Sequence, residues 1–261
     1  MRALLLLVML SLSGLSFATP FEHRHPQWTA LLARHVTWVK PGYASHVDYP
    51  GFKQDQVELD GYLAALSNVP REQYDNWSRD QRLAFLINTY NAFTVKLVTE
   101  NYPLDSIKDI GGMFGSPWTQ AFIPLFGQRL TLNQIEHSMI REPGVFDEPR
   151  IHFAVNCASI GCPALRTEAY VASELDAQLE DSQRRFLSDR TRNHFQASNG
   201  YFQVSKIFKW YADDFAKHSG SLPAYLNQHA TLLAAPEQLK QAQHASKVKF
   251  LEYDWSLNRA H

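Results

Sequence analysis

Leu83-Ala84-Phe85-Leu86-Ile87-Asn88-Thr89-Tyr90-Asn91-Ala92-Phe93-Thr94-Val95-Lys96-Leu97 decides how this chain folds. Apolar residues fall nearly all round a helical period, so the segment predicts a helix buried at the centre of the core. Ser78 is placed to cap its start. Asn88 and Asn91 stand three apart, on one helix face. Buried amides need hydrogen-bond partners. Each is therefore expected either to tie the helix to another element or to line and orient a site.

The elements on either side mix types. Toward the N-terminus, apolar positions in Trp28–Val39 and Gln56–Val69 predict two helices, with Pro70 stopping the second. Between them, Val47–Gly51 reads as an extended piece ending in a turn. Toward the C-terminus, Ala121–Leu125 and Gln128–Leu132 flank Phe126-Gly127 as a β-hairpin. Thr131 or Asn133 is placed to cap a short helix over Gln134–Arg141. Ile151–Val155 and Tyr201–Ile207 read as strands, and Val248–Tyr253 as a last extended piece. Ser173–Leu187, Phe208–Phe215 and Leu222–Ala235 read as helices. No regular βαβ rhythm appears, which favours α+β over a doubly wound sheet. The expected architecture is a single domain whose central helix packs on a small, mostly antiparallel sheet.

Composition limits function. The 261 residues carry 25 Lys+Arg against 26 Asp+Glu, a net charge of −1, which excludes a generic nucleic-acid binder. Aromatics at 13% argue for a packed core and against disorder. Met1-Arg2, the Leu-rich run Ala3–Phe17 and Ser16-Phe17-Ala18 have the layout of a signal peptide cut after Ala18. The run is short for a membrane span, which needs ~20 residues. Export to the periplasm or beyond is the expectation. Residues 19–44 then form an N-terminal helical segment and 45–258 the main domain. No later segment is apolar enough to span a membrane. The expected partner is a small molecule or a peptide.

Cys157 and Cys162 are the only cysteines. They sit in Asn156-Cys157-Ala158-Ser159-Ile160-Gly161-Cys162-Pro163, where an apolar run meets a Gly/Pro loop. His152 lies just before them, and Glu136 and His137 upstream. A sulfur, an imidazole and a carboxylate are the parts of an activated-thiol site. If Ile151–Val155 is a strand, His152 and Cys157 are five residues, or about 16 Å, apart and on opposite faces. That leaves Cys162 folding back in its turn, or Cys157 meeting His137. Glu136 and His137 point about 100° apart on a helix and do not serve each other; Glu136 is instead placed to orient His152. In an exported protein the cysteines equally form a disulfide that clamps the loop. The spacing lacks the partner ligands of a structural zinc site, so neither metal nor cofactor is expected. Two functions stay open: a thiol-dependent hydrolase or acyltransferase acting on an amide or thioester, and a non-catalytic binding protein with a Cys157–Cys162 disulfide.

Several of these pieces occur together in one family. Phe85–Ala92, Leu132–His137, Arg150–Ala154, Asn156–Ser159, Gly161–Pro163, Ser205–Tyr211 and Tyr253–Asn258 resemble, in order and spacing, the proteins grouped as domain of unknown function 547. The resemblance spans roughly residues 45–258. It implies a single α+β domain related to papain-like or transglutaminase-like cysteine hydrolases. Carried over by motif, its polar positions are Asn88, Asn91, Glu136, His137, His152, Cys157 and Cys162. Cys162 or Cys157 is then the nucleophile, with His152 or His137 as base. Asn88, Asn91, Tyr211 and Trp255 are expected to contact substrate. One departure stands out: papain-like enzymes place the nucleophile at the tip of the central helix, and this helix has no Cys.

Overall fold

The structure, a computed structural model, describes residues 21–112 and 115–260; the expected leader, 1–18, lies outside them. Helices and small sheets are mixed, as α+β implies. The N-terminal helix is shorter than its apolar pattern suggested and covers Pro26–His35. The β-branched run after it leaves the helix as strand β1, Val36–Val39, antiparallel to β2, Ala44–Val47. Residues 49–51 are likewise not extended. Asp48 accepts a hydrogen bond from the Gly51 N–H at 3.0 Å and starts a helix, Tyr49–Gln54, with Pro50 in its first turn. A further helix follows at Gln56–Ser67.

The central helix runs Arg79–Asn101, and every residue from Leu83 to Val95 is buried. Ser78 and Gln81 satisfy each other's backbone N–H groups in a capping box. The helix packs chiefly against Tyr49–Gln54, Gln56–Ser67 and the short helix Leu132–Ile135. The hairpin β3 (Ile123–Leu125) and β4 (Gln128–Leu130) joins the same cluster. Phe126 and Gly127 both take positive φ at its turn, as a two-residue hairpin requires.

The expected helix-on-sheet packing is corrected here. The three-stranded sheet, β5 (Asn193–Gln196), β6 (Tyr201–Val204) and β7 (Lys247–Phe250), belongs to a second apolar cluster. β5 pairs with β6 antiparallel, and β6 with β7 parallel. Helices Ile207–Trp210, Ala212–Ser219 and Leu222–Gln228 contribute to the same cluster. The helix Leu175–Ser188 spans both clusters, with Leu175 and Leu179 in the first and Phe186 and Leu187 in the second. Residues 151–155 also straddle the seam: Ile151 and Ala154 join the first cluster and Phe153 the second. Among the described residues, no helix is long and apolar enough to cross a membrane.

Candidate active site

The segment expected as strand Ile151–Val155 is instead a 3₁₀ turn, Pro149–Phe153. Pro149 presets its first φ, and the Glu148 side chain accepts from the Arg150 N–H at 3.1 Å. The strand argument that held His152 and Cys157 about 16 Å apart therefore falls. The turn sends His152 into a cavity at the seam between the two clusters.

That cavity has a volume of about 390 Å³. Glu136, His137, His152, Cys157, Cys162, Tyr211 and Trp255 all line it. Asn88 and Asn91 do not. Each spends its amide on backbone instead. Asn88 donates to Tyr170 O at 2.7 Å and accepts from Tyr170 N–H at 3.0 Å. Asn91 donates to Ala154 O at 3.0 Å and accepts from Asn156 N–H at 2.8 Å. The expected substrate contact is thus replaced by a structural bond: Asn91 fixes the chain just before the cysteines.

His152 is buried, at 2% exposure. Its Nε2 lies 2.7 Å from Asp214 Oδ2. A carboxylate only accepts, so Nε2 carries the proton and Nδ1 is left as a bare lone pair. Nδ1 is itself buried and has no partner. Burial lowers the pKa of the imidazole, and the bond to Asp214 only partly opposes this. Burial also works against the Asp214 charge, but hydrogen bonds from His152 and Arg141 outweigh it and hold the carboxyl well below its usual range. Arg141 reaches Asp214 through Nε at 2.6 Å and Nη2 at 3.2 Å. Asp214, not Glu136, thus orients His152. The sequence reading stopped at Tyr211 and missed it. The available signal was spacing: Tyr211 and Asp214 lie three apart, next to the apolar Phe215.

Glu136 and His137 stand where the helix after Thr131 widens into a π turn, Glu136–Ile140, closed by Arg141 N–H to Glu136 O at 2.9 Å. Such turns recur at functional sites. Glu136 is buried and accepts from the Tyr211 hydroxyl at 2.6 Å. Burial, then the Glu136 charge, raises the Tyr211 pKa, so the phenol stays a donor. The Tyr211 ring stacks on His152 at 3.8 Å between centroids. The exposed His137 points its Nδ1 at Arg141 Nη1, 2.6 Å away, and accepts from it.

Cys157 and Cys162 are joined as a disulfide. The Cys157 N–H donates to Cys162 Sγ at 2.9 Å, and Tyr253 Oη lies 3.2 Å from each sulfur. Among the described residues no imidazole nitrogen hydrogen-bonds either sulfur, though both sulfurs share the cavity with His152. The loop between the cysteines is held tightly. Ala158 takes a positive φ of 61°. Ile160 and Gly161 N–H donate to Ser256 O and Asp254 O at 2.8 and 2.9 Å. A Cβ on Gly161 would lie 2.8 Å from the Tyr253 ring, so only glycine fits this approach.

A family model described as Protein of unknown function, DUF547 matches residues 74–187. The match covers the central helix, the π turn, His152 and both cysteines; Ser205–Tyr211, Asp214 and Tyr253–Asn258 lie beyond it. No curated protein and no solved structure matches the chain.

Proposed function

From the premise that this chain belongs to the DUF547 family, we propose that it is an exported, thiol-dependent acyl hydrolase or acyltransferase. Its substrates are amides or thioesters, and the Cys157–Cys162 disulfide is its resting form. The observation that carries this reading is His152: one ring nitrogen is held by Asp214, and the other is bare, buried and beside the cavity that contains both sulfurs. A base oriented by an acid and facing a thiol is the working arrangement of cysteine hydrolases. It also favours the papain-like or transglutaminase-like relation, with the nucleophile on a loop instead of the central helix.

A dithiol reductant supplies two electrons, opens the S–S bond and becomes a disulfide itself, leaving two thiols. Cys162 is the attacking sulfur, because the Cys157 N–H and the Tyr253 hydroxyl already point at it and would stabilise a thiolate. His152 Nδ1 takes the thiol proton. The sulfur bonds the acyl carbon, and the leaving amine or thiol takes that proton from His152. Water or another acceptor then releases the acyl group and restores the thiol.

The test is hydrolysis of a chromogenic thioester by the full chain before and after dithiol treatment. Activity appearing only after reduction, and lost in Cys162→Ser, supports the proposal. If Cys162→Ser and Cys157→Ser each leave any measured activity intact, the thiol mechanism is wrong. A second reading, a binding protein with a disulfide-clamped loop, draws on the S–S bond itself. It expects ligand binding by the oxidised chain and no turnover in either state.

A further inference from the structure

The cavity's walls carry a chemical preference that the thiol chemistry does not use. Trp118, Trp210, Tyr253 and Trp255 line it, and they touch one another: Trp118–Trp255 at 5.6 Å, Trp210–Trp255 at 5.7 Å and Tyr253–Trp255 at 4.5 Å between centroids. Trp210 is 44% exposed, so part of its indole is open to solvent at the cavity. Among the described lining residues there is no Lys and no Arg. Glu136 is there, 4% exposed, and makes no ion pair among the described residues. Lys108 Nζ, outside the lining, lies 5.1 Å from the Trp255 ring centroid; the cation in the Glu136–Asp214 network, Arg141, pairs with Asp214. Glu136 and Asp214 against Arg141 leave one excess negative charge. Two acceptors belong to the lining residues: the Glu136 carboxylate, which accepts from the Tyr211 hydroxyl, and His152 Nδ1, which is buried without a partner.

Aromatic faces and a buried unpaired carboxylate act on the same kind of ligand. The rings present negative faces to a cation. The carboxylate attracts it more strongly in this shielded setting than it would in water. That charge disfavours an anionic ligand, and a neutral one gains no Coulomb attraction from it. We propose that the cavity recognises an organic ammonium group, seated between the tryptophan walls and Glu136, and that the substrate is an acyl compound carrying such a cation. The term substrate rests on the hydrolase reading; the preference for a cation rests on the cavity alone.

The test uses the oxidised full chain, so that binding is read without thiol chemistry. Tryptophan fluorescence and calorimetry compare two probes of nearly equal shape, choline and its uncharged carbon isostere 3,3-dimethylbutan-1-ol. The expected result is binding of choline about 10-fold or more tighter than the isostere. Glu136→Gln keeps an acceptor for the Tyr211 hydroxyl and should reduce that ratio to about 2-fold or less. Trp210→Ala, at a partly exposed site, should weaken choline binding about 5-fold. Equal affinity for the two probes, no choline binding up to about 10 mM, or a preference unchanged in Glu136→Gln overturns the proposal. If Glu136→Gln does not fold, the wild-type ratio and Trp210→Ala decide. A chain that binds choline but hydrolyses nothing after reduction refutes the hydrolase reading alone. A reduced chain that cleaves neutral thioesters as well as their ammonium analogues refutes this inference alone.

Discussion

His152 and Asp214, sixty-two positions apart, are joined by a 2.7 Å hydrogen bond that fixes the imidazole with its proton on Nε2. The consequence is chemical. Replacing Asp214 with Asn turns an obligate acceptor into a group that can also donate, so the proton can move to Nδ1 and its bare lone pair is lost. In the reduced protein, Asp214→Asn should lower kcat for thioester hydrolysis by roughly 10³-fold with little change in KM. Steady-state kinetics on the reduced chain check this. A kcat within a factor of a few of wild type would remove Asp214 from the mechanism.

The thiols themselves give the next measurement. Both cysteines are in the disulfide, so the folded chain should show no reaction with a thiol-specific dye, and two thiols should appear after dithiol treatment. Once reduced, one of them should alkylate fast near neutral pH, because a backbone N–H and a phenol already point at Cys162. His152→Ala should slow that alkylation by about 10-fold. Iodoacetamide kinetics followed by mass spectrometry identify the residue.

Stability should depend on pH through buried histidines. Burial depresses His25 to about 3 from its ordinary 6.5, and it lowers His152 as well. The unfolded chain therefore takes up protons below about pH 6.5 while the folded chain does not. Stability is complete above that pH and falls as pH drops, by up to about 1.4 kcal/mol per pH unit for His25 until its folded pKa is reached. Urea unfolding between pH 7.5 and about 4.5 reads this slope. His25→Asn, which suits the left-handed backbone there (φ 49°), should flatten it.

Asn91 and Asn88 separate structure from site. Each makes two buried bonds to backbone. Replacement by Leu leaves a carbonyl and an N–H unpaired and should cost about 2–4 kcal/mol in either case. Asn91 alone touches the chain entering the cysteine loop, so Asn91→Leu should also change the reduction potential of the disulfide. Asn88→Leu should not. Denaturation midpoints together with a redox titration distinguish the two.

Gly161→Ala places a methyl against the Tyr253 ring and Asp254 O. The C-terminal strap must shift, costing about 1–3 kcal/mol. Fluorescence of the neighbouring Trp255 should report the change. An unchanged melting temperature would mean that the strap is already loose.

Local chemistry in the sequence determined several features by itself. The central helix was legible because its apolar residues surround the axis, and Ser78 caps its start through contacts three residues away. The hairpin at Phe126-Gly127 was legible because only two residues had to turn. The resemblance to the family, whose model matches residues 74–187, was legible because the matching motifs lie within continuous stretches. Tertiary structure decided the rest. An apolar run such as Ile151–Val155 has no strand to pair with, so it closes into a 3₁₀ turn, and no count of side chains along the run reveals the missing partner. The acid behind His152 comes from a helix in the other apolar cluster. The disulfide closes because a strap from residues 254–258 holds the loop that carries both sulfurs. Such pairings are set by which surfaces bury each other, and that is a property of the folded chain as a whole.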